Sequence, residues 1–191
     1  MSIIDTLVTN RTEQHVAKLK EILSKPMSEW TEDEADYFWY GGEPLYATDG
    51  ILSATDGVLY ANDGGDGIQR GAYNATDLNR VGQACIYLIG LIASLGYDTS
   101  AYAQLRTNWS VTDVPTAAEM ATYLATIARL KAQFSAVQDI PSTMNALTYQ
   151  GANNIEKLLQ EVDFQITAIN AVFIRSDMLT AFCGTGFYIK N

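Results

Sequence analysis

The sequence predicts a mainly α fold: a helical bundle of four main helices plus one short helix, with an inserted small β-meander and a C-terminal β-hairpin. Three observations carry that expectation. Apolar residues recur at three-and-four spacing over several long segments, which places them on one helix face that has to be buried. Residue pairs able to cap a helix start stand ahead of most of these segments. A seven-residue Asp-Gly repeat then breaks the helical period between residues 46 and 66.

In the first segment the apolar positions are Val16, Leu19, Ile22 and Leu23, ending ahead of Pro26, with Asn10 and Glu13 as the capping pair. A short helix follows from about Glu32 to Tyr40, capped by Thr31 with Glu34 and apolar at Ala35, Phe38 and Trp39. Asn74 with Asp77 opens the third, whose stripe is Leu78, Val81, Cys85, Leu88, Ile92 and Leu95, with Gly96 as its stop. Thr116 with Glu119, sharpened by Pro115, opens the fourth, on Met120, Tyr123, Leu124, Ile127, Leu130, Phe134 and Val137. The longest runs from about Ala152 to Phe173 on Ile155, Leu158, Leu159, Val162, Ile166 and Ile169. Between the third and fourth, Tyr97–Pro115 reads as an extended connection anchored by Trp109.

Two stretches read as β. The repeat would put a glycine in every heptad of a coiled coil, at about 1 kcal/mol each relative to alanine. Asp-Gly is instead a favoured two-residue hairpin loop, because glycine accepts positive φ and Asp tolerates it. Leu45–Thr48, Ile51–Thr55 and Val58–Asn62 are then short strands turning at Asp49-Gly50 and Asp56-Gly57. Near the end, Leu179–Cys183 and Phe187–Ile189 around Gly184-Thr185-Gly186 read as a small hairpin. The whole is one domain over 1–191, with an insertion at 43–69 and a terminal hairpin at 174–191.

Composition excludes several function classes. A formal charge of -10 with scattered basic residues argues against a nucleic-acid partner, since phosphate contacts need clustered Lys and Arg. Two cysteines make no disulfide framework, and Cys85 lies in an apolar stripe where a buried free thiol is expected. The first residues lack a signal-peptide pattern. The longest apolar stretch, Ala84–Leu95, is too short for membrane insertion. Synthesis in a cytoplasm is expected.

The chemistry-bearing residues lead to no reaction. The one histidine, His15, stands among Glu13, Gln14 and Lys18 and reads as a solvated helix residue, so no catalytic residue is assigned. Asp49, Asp56, Asp63 and Asp66 are the only candidate metal ligands, but calcium-loop spacing is absent and turn chemistry accounts for them. No metal and no cofactor is expected. Trp30, Trp39 and Trp109 read as core or anchor residues. Glu32, Asp33, Glu34 and Asp36 crowd a helix start, where the dipole favours them.

The string Gly71-Ala-Tyr-Asn-Ala-Thr-Asp-Leu-Asn-Arg-Val81 resembles a family of phage and prophage proteins of gut Firmicutes. The resemblance extends to Arg11–Val16, Gly96-Tyr97, Thr107-Asn-Trp109, Asp113-Val-Pro115, Leu147-Thr-Tyr149, Gly151-Ala-Asn153 and Ile155-Glu-Lys157. It implies a structural or tail-associated protein of the virion, made in the bacterial host cytoplasm. Its partners would be other phage tail or virion proteins in an oligomeric assembly. The family lends no catalytic residue. This chain departs from the pattern between Trp39 and Gly71, where the Asp-Gly repeats are inserted. That insertion is where interaction residues are expected: Tyr46, Tyr60 and Tyr73, with Asp49, Asp56 and Asp63. The alternative reading is a module binding a host-surface glycan or protein through the same tyrosines.

Overall fold

In the computed structural model, residues 2–40, 53–55, 58–60, 70–145 and 147–184 are described. The side chains of 39, 40, 53–55, 58–60 and 173–184 fall outside that description. Five α-helices follow one another: α1 (Glu13–Leu23), α2 (Glu32–Tyr40), α3 (Ala75–Ser94), α4 (Ala117–Phe134) and α5 (Tyr149–Gly184). Two 3-10 turns, Ile3–Thr6 and Met27–Glu29, precede α1 and α2.

The helix starts follow from local chemistry. Asn74 caps α3 by accepting from the amides of Thr76 and Asp77, while the Asp77 carboxylate accepts from the Asn74 amide at 2.9 Å. Thr116 and Glu119 make the same reciprocal pair on α4. Thr31 and Glu34 do so on α2. At α1 the cap is Thr12 rather than Asn10, and its reciprocal partner is His15, whose Nδ1 accepts from the Thr12 amide at 3.0 Å. Helix α3 stops as expected: Gly96 adopts φ +84°, a left-handed conformation that glycine reaches without strain.

Helix α5 is the spine of the bundle. Its Ile155, Leu158, Leu159 and Val162 are fully buried, with Ile166 nearly so, against α3, α4 and the first 3-10 turn. Each such side chain contributes roughly 1.5–3 kcal/mol relative to leaving it in water. Val81, Ala84, Cys85, Leu88 and Ile92 of α3 and Ile127 and Leu130 of α4 complete the core. Helices α1 and α2 pair around a smaller cluster of Leu19, Ile22 and Tyr37. The 95–116 connection is pinned as its spacing predicts: Trp109 is buried, and its amide and carbonyl both bond the Asn79 side chain, at 2.7 and 2.8 Å.

The fold class is therefore all-helical, which corrects the expected mixture of a bundle with a β-meander and a terminal hairpin. Among the described residues the only extended pairing is a ladder of Ser53–Thr55 (β1) with Val58–Tyr60 (β2), Ala54 opposite Leu59. Three residue pairs form no layer of the fold, and an isolated two-stranded pairing is marginal in water. The proposed strand Leu45–Thr48 and the Asp-Gly turns lie outside the described residues. At the other end, Leu179–Cys183 belongs to α5, which continues to Gly184. From Ala152 to Cys183 there is no glycine or proline. A helix nucleated by its buried half propagates until a breaker stops it. Phe187–Ile189 lies outside the described residues.

Candidate functional site

The most concentrated chemistry is a buried ionic network joining the N-terminal arm to α3 and α5. Arg11, Asp77, Arg80 and Glu156 are all at most 7% exposed. Glu156 accepts from the Val8 amide (2.5 Å), Arg11 Nη2 (2.7 Å), Arg80 Nε (3.2 Å) and Arg80 Nη2 (3.1 Å). Asp77 Oδ1 accepts from Arg11 Nη2 at 2.8 Å and also from Arg80 Nη2. Asn153 closes the arrangement by holding the Arg11 amide (3.0 Å) and carbonyl (2.8 Å). Two guanidinium groups and two carboxylates sum to zero charge, which is how ions this deep escape an uncompensated desolvation cost. Arg11 Nε is buried with no hydrogen-bond partner among the described residues.

Asp77 and Arg80 pair in the interior rather than on the surface. Their spacing of three puts them on one helix face, and that face is the buried one. The network also shows what the strings around residues 11–16, 71–81 and 151–157 build. Arg11, Asp77, Arg80, Asn153 and Glu156 all fall within them, and the strings meet in space although 145 residues separate Arg11 from Glu156. Spacing along a single segment carried no sign of that meeting.

Beside the network an open cleft of about 370 Å³ lies between α1, residues 70–73 and the start of α5. Arg11, Glu13, Lys20, Arg70, Tyr73 and Tyr149 are among its lining residues. Tyr73 is half-buried, and its hydroxyl is bonded to that of Tyr123 at 2.5 Å. Burial and the nearby Glu156 push the Tyr73 hydroxyl far above the usual tyrosine range; burial and Tyr73 do the same to Tyr123. A second cleft of about 330 Å³ is bounded by Leu105, Arg106, Trp109, Met120 and Tyr123. There the Arg106 guanidinium stacks 4.2 Å from the Trp109 ring and bonds Asp113 at 2.7 Å, so its charge is already engaged.

Of the six interaction residues expected from the sequence, Tyr73 alone has a described side chain, and it lines the first cleft. Tyr60 ends β2 and its side chain is not described; Tyr46, Asp49, Asp56 and Asp63 lie outside the described residues. Among the described residues no three His, Cys, Asp or Glu side chains gather as a metal site requires, and no helix is long and apolar enough to cross a membrane. His15 is a capping residue with partial burial, and its carbonyl accepts from the Tyr37 hydroxyl at 3.1 Å. Burial raises the Cys85 thiol to about 12. No family model, curated protein or solved structure matches the chain.

Proposed function

We propose that this chain is a non-enzymatic structural or tail-associated protein of a bacteriophage particle, binding other tail or virion proteins in an oligomeric assembly. The observation that carries the reading is the second half of α5. The helix is about 54 Å long at 1.5 Å per residue. Among its described side chains, which run to Val172, the last buried one is Ile166, at the midpoint of the helix. Around and beyond that point Phe164 is 73% and Val172 67% exposed. No charged residue occurs from Gln165 to Ile174. A stretch with this composition is a poor solvated surface and a good contact surface, since helices in proteins take most of their stability from packing an apolar face.

Two further features support the reading. Phe38, just before the 43–69 insertion, and Ala72, just after it, pack on the same Leu19, Ile22 and Tyr37 cluster. The described chain on either side of the insertion thus meets on one cluster. The resemblance at residues 71–81 supplies the phage context. The alternative, recognition of a host-surface glycan or protein through Tyr46, Tyr60 and Tyr73, is less favoured because Tyr123 already engages the Tyr73 hydroxyl. The test is mass spectrometry of density-purified particles from the host carrying the gene. The chain is expected at a fixed ratio to tail proteins; its absence from the particles contradicts the proposal.

A further inference from the structure

Helix α5 carries two apolar stripes. Ile155, Leu159, Val162 and Ile166 form the one buried in the core. At about 100° per residue, Phe164, Ala168, Ala171 and Val172 fall together on the opposite face. All four are exposed. Val137, also exposed, extends this outer patch: its amide donates to Glu161 at 3.3 Å, about one turn ahead of Phe164. Two properties of the outer stripe point to its occupant. It is symmetric in size, with the large Phe164 and Val172 each four residues from the small Ala168. It is also antisymmetric in charge: Glu161 stands seven residues before Ala168 and Arg175 seven after, both in register with that face, and no charged residue occurs from Gln165 to Ile174.

We propose that the outer stripe of α5 binds a second copy of this chain, as an antiparallel helix pair with its two-fold axis at Ala168. The proposal rests on the reading of this half-helix as a contact surface and names the partner. In such a pair each residue meets the one equally far beyond Ala168 on the other helix. Phe164 then packs beside Val172 of the second copy, and the alanines between them let the two backbones approach. Glu161 stands level with Arg175 of the second copy at both ends of the contact. A parallel pair would instead set Glu161 against Glu161 and Arg175 against Arg175. The Glu161 carboxylate has acceptor capacity beyond its bond to the Val137 amide. A chain of net charge -10 repels its copies over most of its surface, so a neutral stripe with complementary ends is where two copies can meet. The stripe is about four turns long, less than the roughly 800 Å² per partner of a standard interface, so the pair forms reversibly.

The experiment is sedimentation equilibrium of the full chain from micromolar to millimolar concentration, with cysteine pairing in a Cys183→Ser background. A monomer–dimer equilibrium is expected. Ala168→Glu should weaken it about ten-fold by setting two carboxylates against each other at the axis, with melting unchanged because the position is exposed. On air oxidation Ala168→Cys should cross-link to itself. Phe164→Cys alone should not, but it should cross-link when mixed with Val172→Cys. The proposal is overturned by a chain that stays monomeric throughout, by a dimer that Ala168→Glu leaves equally tight, or by Phe164→Cys cross-linking to itself. A monomeric chain whose Val172→Glu variant is still lost from purified particles overturns the second copy alone and leaves the contact surface to another protein. A dimer whose Val172→Glu variant enters particles as the parent does upholds the pairing and overturns the particle role instead.

Discussion

Glu156 accepts four hydrogen bonds in the interior, three of them from guanidinium groups, and it is the residue on which the N-terminal arm, α3 and α5 converge. Replacing it with alanine leaves Arg11 and Arg80 buried with only Asp77 between them. Glu156→Ala should therefore cost about 3–5 kcal/mol, read from the shift of the urea transition. A loss below about 1 kcal/mol would show that the arm is not held by these ions. His15 was legible only as a polar residue on α1. The structure gives it the cap of Thr12, so His15→Ala should cost about 0.5–1 kcal/mol by the same measurement, where a merely solvated side chain predicts no change. The pH response follows from three buried acids. Cys85, Tyr73 and Tyr123 all have raised values in the folded state, Cys85 to about 12 against an ordinary 9. Such groups ionise first in the unfolded chain. The stability they contribute is full below pH 9 and is lost as pH climbs from 9 towards 12. Melting temperature should fall over that window, and Cys85→Ala should blunt the fall at its lower end.

Among the elements, α3 offers the sharpest internal contrast, because two of its glycines stand in opposite environments. A Cβ on Gly82 would meet Thr107 Cγ2 at 3.1 Å and the Arg106 carbonyl at 3.2 Å, so the glycine lets the 95–116 connection lie close against the helix. Gly90 has nothing within 4 Å of its Cβ direction. Gly82→Ala should destabilise by about 1–3 kcal/mol through overpacking. Gly90→Ala should stabilise by about 0.5–1 kcal/mol through helix propensity alone. Thermal or urea unfolding of both variants checks the opposed signs. Most helices were legible because cap chemistry and apolar period are both local: Asn74 with Asp77, Thr116 with Glu119, and the Leu78-to-Ile92 stripe needed no tertiary information. What failed was also local in origin. Asn10 and Thr12 both qualify as caps by residue type, and only the backbone decides between them. Tyr37 is buried at the centre of the α1–α2 cluster, yet the apolar period points to Phe38 and Trp39, because so short a helix leaves that period ambiguous. Leu179–Cys183 was assigned to a hairpin on its glycine-flanked aromatic end, whereas helix propagation from the buried half of α5 governs it.

For the molecule as a whole, α3, α4, α5, the N-terminal arm and the 95–116 connection supply a continuous core cluster among the described residues. Replacing Glu43–Ile68 with a short Gly/Ser linker should leave the melting transition within a few degrees of the parent. A collapse of the transition would make that segment part of the folding unit. The ionic network and the cleft were not legible at this scale, since their members come from three separated strings whose meeting is a property of the packed bundle. The central claim is that the outer half of α5 is a contact surface within a particle, and Val172 tests it without touching the core, being 67% exposed. The decisive measurement is the amount of this chain, relative to tail proteins, in purified particles made with the parent and with Val172→Glu, alongside the melting curve of each chain. The account predicts unchanged melting and a several-fold loss of the variant from particles. Equal incorporation of parent and variant, at equal stability, would contradict it.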